Sequence, residues 1–172
     1  MRIKHRHFLR AREARQIIEM IKEKYPKLFS KIRNQLKKNN IEIIVTDLNH
    51  KIYLINNKAI IIEVNGKITM PSINSLQTCN EDLPRIVVDM GAIPYIVNGA
   101  DVMAPGIVKV DGEFNVNDIV SIVDEKHNKA FAIGLTLVTS EELKNMKKGK
   151  AIRNIHYVGD KIWKFLQKHS LL

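Results

Sequence analysis

The apolar positions of the first forty residues fall in threes and fours. Ala14, Ile17, Ile18, Ile21, Tyr25 and Leu28 trace one stripe, which predicts an amphipathic helix over 10–24 with Arg10, Arg12, Arg15, Lys22 and Lys24 largely off its buried side. Pro26 breaks that helix at Tyr25 and suits the first turn of a second, with Leu28, Phe29, Ile32 and Leu36 inward and Asn39-Asn40 at its end. From residue 41 the texture changes to short strand-like runs: IEIIVTDL (41–48), KIYLI (51–55), KAIIIEV (58–64) and KITM (67–70). Their joints are Asn49-His50, Asn56-Asn57 and Asn65-Gly66, tight-turn chemistry that predicts an antiparallel meander. Pro71-Ser72 then opens a short helix expected to end near Cys79.

NEDLPR (80–85) is polar and contains a proline, so it reads as a linker between a first unit over 1–80 and a second over 83–172. Beyond it come a strand (RIVVD), a short helix within MGAIPYIVNG, and further strands at roughly ten-residue spacing, the pattern of a small barrel. Ser140, Glu141 and Glu142 predict a helix start, with Lys144, Lys147 and Lys148 in the last turn and Gly149 as its left-handed cap. AIRNIHYV supplies a closing strand and GDKIWKFL a returning tail. The expected class is α+β: helices plus an antiparallel meander, then a small mixed β-barrel with short helices.

Composition narrows the possibilities. At 172 residues, 45% hydrophobic and 27% charged, the chain is expected to fold rather than remain disordered. No apolar run reaches the ~18–20 residues of a membrane-spanning helix. The basic start lacks the apolar core of a secretory leader, and the expected compartment is the cytoplasm. A single cysteine excludes an internal disulfide framework and a multi-cysteine zinc site. The net charge is +10, and residues 1–40 carry all of it, with 13 Lys/Arg against 3 Glu. Such a concentration is either a solvated lysine-rich helical face or the footprint of a polyanion, RNA rather than a membrane surface.

Candidate chemistry is mostly absent. There is no G-x-S-x-G elbow, no dinucleotide fingerprint and no phosphate-cradling loop, because Ala151 follows Gly149-Lys150 where a hydroxyl is needed. His5 and His7 could share a metal on an extended strand, but no carboxylate or thiol cluster lies in sequence reach. Neither a catalytic residue nor a metal or cofactor is expected, and Cys79 reads as a packed small hydrophobe. The densest constellation is VVDMGAIPYIVNGADVMAPGI (87–107). Gly91 suits a sharp turn out of a strand, Gly99 a positive φ after a short helix, and Asp89 and Asp101 can accept backbone N–H groups of the turns. Read from the residues alone, this segment serves equally as turn chemistry holding a barrel together or as a binding surface.

VD-x-GA…NGADVM-x-PGI with KGKAIRNIHYVGD downstream resembles the PUA domain, the RNA-binding module of pseudouridine synthases and archaeosine transglycosylases, over about 83–160. SEELKNMKKGKAIRNIHYVGDKIW is similar to the ending of the malignant-T-cell-amplified family, stand-alone PUA proteins of translation. In that family a helix like the one at Pro71-Ser72, within PSINSL, precedes the PUA unit, and the compact loops here suit an archaeal member. The resemblance implies RNA contact by Gly91, Ala92, Asn98, Gly99, Ala100 and Asp101, with Lys148, Lys150 and Arg153 facing the same groove. Backbone N–H groups beside the glycines are expected to grip phosphates. Met90 stands where relatives often carry a charge, and the loop 107–117 is shorter than in eukaryotic members. His156, Tyr157 and Trp163 could stack on bases, or Tyr157 and Trp163 could anchor the tail to the barrel.

These readings lead to one expectation: a non-catalytic RNA-binding factor of translation contacting the small ribosomal subunit and transfer RNA. In it, Arg10, Arg12, Arg15 and Lys22 clamp ribosomal RNA phosphates. The resemblance also implies a separate initiation-factor-like protein partner. The alternatives are an RNA-targeting subunit of a modification enzyme, of pseudouridine synthase or methyltransferase type, and a protein–protein adaptor.

Overall fold

Asparagine is the L-residue that enters the left-handed region most readily, and this chain uses it to reverse direction. In the computed structural model, which describes residues 1–36, 40–78 and 82–172, Asn56 and Asn57 have φ of 50° and 60°, and Asn65 and Gly66 have 53° and 69°. Two consecutive left-handed residues give the type I′ geometry whose twist matches paired strands. The strands β2 (Ile41–Thr46), β3 (Lys51–Ile55), β4 (Lys58–Val64) and β5 (Ile68–Pro71) accordingly pair antiparallel in sequence order. A further strand, β1 (Ile3–Phe8), pairs with β2 and makes five. The hydrophobic pattern does not predict it, because all six of its residues are exposed and it has no apolar alternation to read.

Helices α1 (Ala11–Lys24) and α2 (Pro26–Ile32) follow the predicted stripe. Ala14, Ile21, Tyr25, Leu28 and Ile32 are buried, as are Ile41, Ile44, Ile52, Leu54, Ile61, Ile62 and Met70 of the sheet. Phe29 and Leu36 are only half-buried, and α2 gives way to a 3-10 turn at Arg33–Gln35 before Leu36. Ser72 starts α3 (Ile73–Thr78): its hydroxyl oxygen accepts from the Ser75 N–H at 3.1 Å. The expected end of that helix at Cys79, the Asn80-Glu81 part of the linker and Asn39 lie outside the described residues. Asp82 does more than link, for its carboxylate accepts from the N–H groups of Lys27 (2.9 Å) and Leu28 (2.6 Å) at the start of α2.

The chain folds as two compact units, Met1–Asp82 with Lys164–Leu172, and Leu83–Trp163. The end of the chain is tied into the first by the Ala59 N–H, which donates to the Leu171 carbonyl at 2.8 Å.

The second unit is a mixed sheet of six strands in the order β7-β11-β10-β9-β6-β8. These are β6 (Arg85–Val88), β7 (Val102–Met103), β8 (Ile107–Asp111), β9 (Ile119–Asp124), β10 (Ala130–Thr136) and β11 (Lys150–Tyr157). β6 and β9 run parallel and the other pairs antiparallel. β7 and β8 sit at opposite edges, yet only Ala104–Gly106 separate them. A three-residue link spans on the order of 10 Å, so the sheet must curl until its edges approach. Ile86, Val88, Val102, Phe114, Val120, Ile122 and Ile152 fill the inside. Gly134 lets β10 and β11 close there, since a Cβ on it would lie 2.2 Å from Ile152 Cγ2.

Two details differ from the expected layout. Thr139 caps α5 (Ser140–Asn145): its hydroxyl oxygen accepts from the Glu142 N–H while the Glu142 carboxylate accepts from the Thr139 N–H. That helix ends at Asn145, so Gly149, with φ 99°, is not its cap and instead turns the chain into β11.

Candidate nucleic-acid interface

The chain leaves β6 at Val88 and must turn before the single-turn helix α4 (Ile93–Ile96). Asp89 makes the turn, its carboxylate accepting from the Ala92 N–H at 2.7 Å. Ile93 and Ile96 pack toward the core, which leaves Tyr95 outward and 71% exposed. After α4, Gly99 takes the expected positive φ, 95°. The N–H groups of Asn98, Gly99 and Ala100 all donate to carbonyls of α4, at 3.1, 3.0 and 3.0 Å. With Ala92 also engaged, the loop contributes shape and side chains, and these four N–H groups are not free to grip phosphates. That corrects the mechanism expected for the glycine-rich segment.

Asp101 and Asn154 stitch this loop to β11. The Asp101 carboxylate accepts from the Asn154 N–H (2.8 Å) and holds Lys150 Nζ at 2.6 Å. The Asn154 amide donates to the Ile96 and Ala100 carbonyls at 2.9 and 3.0 Å. Lys150 lies opposite Met103 in the β7–β11 register, and Arg153 is exposed on the same strand. Lys148 is exposed in the turn just before β11. Ala92, Tyr95, Ile96, Val102, Met103 and Gly106 line an adjoining pocket of about 240 Å³, with Met103 47% exposed at its edge. The structure therefore gathers Ala92, Ala100, Asp101 and Lys150 around one apolar hollow, with Gly91 and Asn98 exposed on the same loop.

Sequence reasoning misses Tyr95, Met103 and Asn154. Tyr95 carries a signal, because Ile93 and Ile96 at i and i+3 claim the buried side of a one-turn helix. Tyr157 packs against the core beside Gly99, Trp163 is half-buried, and His156 is fully buried.

In the first unit, Arg10, Arg12, Arg15 and Lys22 are all exposed. Spacings of three and seven put Arg12, Arg15 and Lys22 on one exposed stripe, with Arg12 opposite Ala14 and Ile21 and the other two at the side of the helix. Glu19 falls on that stripe and approaches Lys22 at 3.8 Å. Among the described residues no group of three or more His, Cys, Asp or Glu could hold a metal, and no helix is long and apolar enough to cross a membrane.

Residues 84–158 match the PUA domain family and residues 5–78 match a domain of unknown function (DUF1947). An uncharacterised protein of Methanocaldococcus jannaschii is 40% identical over 96% of this chain and 99% of its own length. Translation machinery-associated protein 20 of Saccharomyces cerevisiae is 29% identical over 83% of this chain and 82% of its own. The crystal structure of a hypothetical protein from Pyrococcus horikoshii superposes with a TM-score of 0.75 at 32% identity, covering 94% of this chain and 99% of that one. This chain belongs to one family with the Methanocaldococcus jannaschii protein and carries a PUA domain.

The PUA match encloses the whole loop-and-strand groove, and the other domain match encloses α1. Within the groove, burial alone would raise the Asp101 pKa. The hydrogen bond from Lys150, the Asn154 N–H and the charges of Lys150 and Arg153 outweigh it, and hold the carboxyl below its ordinary 3.8. A lowered folded-state pKa contributes stability above the unfolded value and loses it as pH falls through the folded one. Asp101→Asn should therefore be destabilised by about 1–2 kcal/mol near neutral pH, and the gap to wild type should close below pH 3.8. Denaturant titrations at a series of acidic pH values check this; a gap that does not change with pH would remove the carboxylate charge from the stitch.

Proposed function

We propose that this protein is a non-catalytic RNA-binding factor of the translation machinery, working in the cytoplasm on the small ribosomal subunit and transfer RNA. The observation that carries the reading is the groove of the second unit, where an apolar pocket lined by exposed Tyr95 and Met103 adjoins Lys150, with Arg153 exposed on the same strand. An unpaired base has an apolar face and a charged tether. A hollow with an aromatic edge takes the face, and flanking cations take the phosphates without reading sequence. Gly91, Ala92, Asn98, Gly99, Ala100 and Asp101 shape this groove, and Lys148, Lys150 and Arg153 supply its charge. Arg10, Arg12, Arg15 and Lys22 form a second, purely electrostatic contact with ribosomal RNA.

Similarity to a translation machinery-associated protein over 83% of this chain supports the translational role. The archaeal relative shares the same pair of units over 99% of its length, and similarity to translation machinery-associated protein 20 favours the reading over an RNA-targeting subunit of a modification enzyme. A separate initiation-factor-like protein is the partner that resemblance to the malignant-T-cell-amplified family implies.

Crosslinking the purified protein to small ribosomal subunits and to total transfer RNA, then mapping peptides and nucleotides, tests the proposal. Crosslinks are expected on residues 91–103 and 148–153 and on α1. No complex with either RNA at low salt would sink it.

A further inference from the structure

Strand β1 has no part in the function proposed above, yet it is the least ordinary surface of the first unit. It lies at one edge of the five-stranded sheet, and all six of its residues are exposed. Edge strands usually present charge to discourage pairing with other chains, and Lys4 and Arg6 fit that purpose. Phe8, at 59% exposed, does not. A lone exposed apolar side chain needs no explanation by itself; what sets Phe8 apart is its place on an unpaired sheet edge among Lys4, Arg6 and Arg10.

The surroundings say what kind. Register places Glu42 directly across from Phe8, where a carboxylate would repel an anion. Arg6 neutralises it, with Nε donating to the Glu42 carboxylate at 2.7 Å and the guanidinium also donating to the Asn57 side-chain oxygen at 2.8 Å. Lys4 and Arg10, on either side in sequence, form no ion pair with an acidic side chain among the described residues. His5 and His7 extend along the alternate face of the strand. An acidic protein segment would use the cations and leave the ring unused. An aromatic flanked by two unpaired cations, Lys4 on the strand and Arg10 just past its end, matches single-stranded nucleic acid, whose bases stack while its phosphates meet positive charge.

We infer that β1 is a binding strip for single-stranded RNA, with Phe8 as the stacking platform and Lys4 and Arg10 as phosphate contacts. The strip rests on the reading of the protein as RNA-binding, and it adds a third contact, separate from the second-unit groove and continuous at Arg10, which caps α1, with the cations of that helix.

The test is binding of a fluorescein-labelled single-stranded oligouridylate 12-mer, followed by anisotropy at several salt concentrations. Phe8→Ala should weaken binding about tenfold with an unchanged salt slope, since stacking releases no counterions. Phe8→Trp should restore the affinity and Phe8→Leu should not. Lys4→Ala should instead flatten the slope by about 0.7. Phe8 is exposed, so matching thermal melts are expected for all variants. If wild type binds the 12-mer but Phe8→Ala binds equally well, or Phe8→Leu rescues as fully as Phe8→Trp, the strip is wrong while the RNA-binding reading stands. If wild type binds neither the 12-mer nor total transfer RNA, both fall.

Discussion

Asp160→Ala is expected to destabilise the second unit by about 2–4 kcal/mol. Asp160 serves three groups at once. One carboxylate oxygen accepts from the Trp163 N–H at 2.7 Å and so caps α6 (Lys161–Lys168); the other accepts from His156 Nδ1 at 2.7 Å and the Tyr157 N–H at 3.3 Å. His156 is 0% exposed, and its Nε2 is already buried without a partner among the described residues. Removing the carboxylate deletes a helix cap, worth about 1 kcal/mol. It also leaves the second ring nitrogen unsatisfied, at a further ~1–3 kcal/mol. Asp160→Asn keeps an acceptor for the cap and should cost much less. Trp163 is the sole tryptophan and sits at the capped turn, so its fluorescence in a urea titration reads the loss directly. A shift below about 0.5 kcal/mol would mean that solvent replaces the carboxylate, and that His156 is not sealed from water.

What can be read from the sequence is what local chemistry dictates. The hairpins at Asn56-Asn57 and Asn65-Gly66, the stripe of α1, the Ser72 start of α3 and the positive φ of Gly99 each depend on residues within a turn of one another. What escapes depends on partners far along the chain. β1 exists because β2 pairs with it, and not because its own residues favour burial. Asp101 is expected to cap the turn after Gly99, but its carboxylate reaches Asn154, 53 residues away. The same long reach consumes groups that a sequence reading leaves available. The loop N–H groups expected to hold phosphates close on α4, and Lys150 holds Asp101 as well as facing the groove. The general location of the candidate site is legible, since glycines and asparagines mark turns wherever they stand. Its working surface, Tyr95 over an apolar hollow, follows from which isoleucines of α4 turn inward.

Charge reversal on α1, Arg12→Glu with Arg15→Glu, is expected to lower RNA affinity on the order of 100-fold at low salt and to change how affinity depends on salt. If Arg10, Arg12, Arg15 and Lys22 each neutralise one phosphate, log affinity falls against log salt with a slope of about −2.8, near a 50-fold loss between roughly 50 and 200 mM. Reversing two of them should flatten that slope by at least about 1.4. Both arginines are exposed and off the buried stripe, so folding should survive. Tyr95→Ala supplies the contrast. It removes an exposed ring from the groove without altering charge, so affinity should drop about tenfold at every salt concentration, in parallel with wild type. The two variants separate an electrostatic contact from a stacking contact within one binding curve. If Arg12→Glu with Arg15→Glu leaves the slope intact, α1 is a solvated helical face with no RNA against it. If Tyr95→Ala changes the slope instead of shifting it, the groove binds through charge alone and the hollow takes no base.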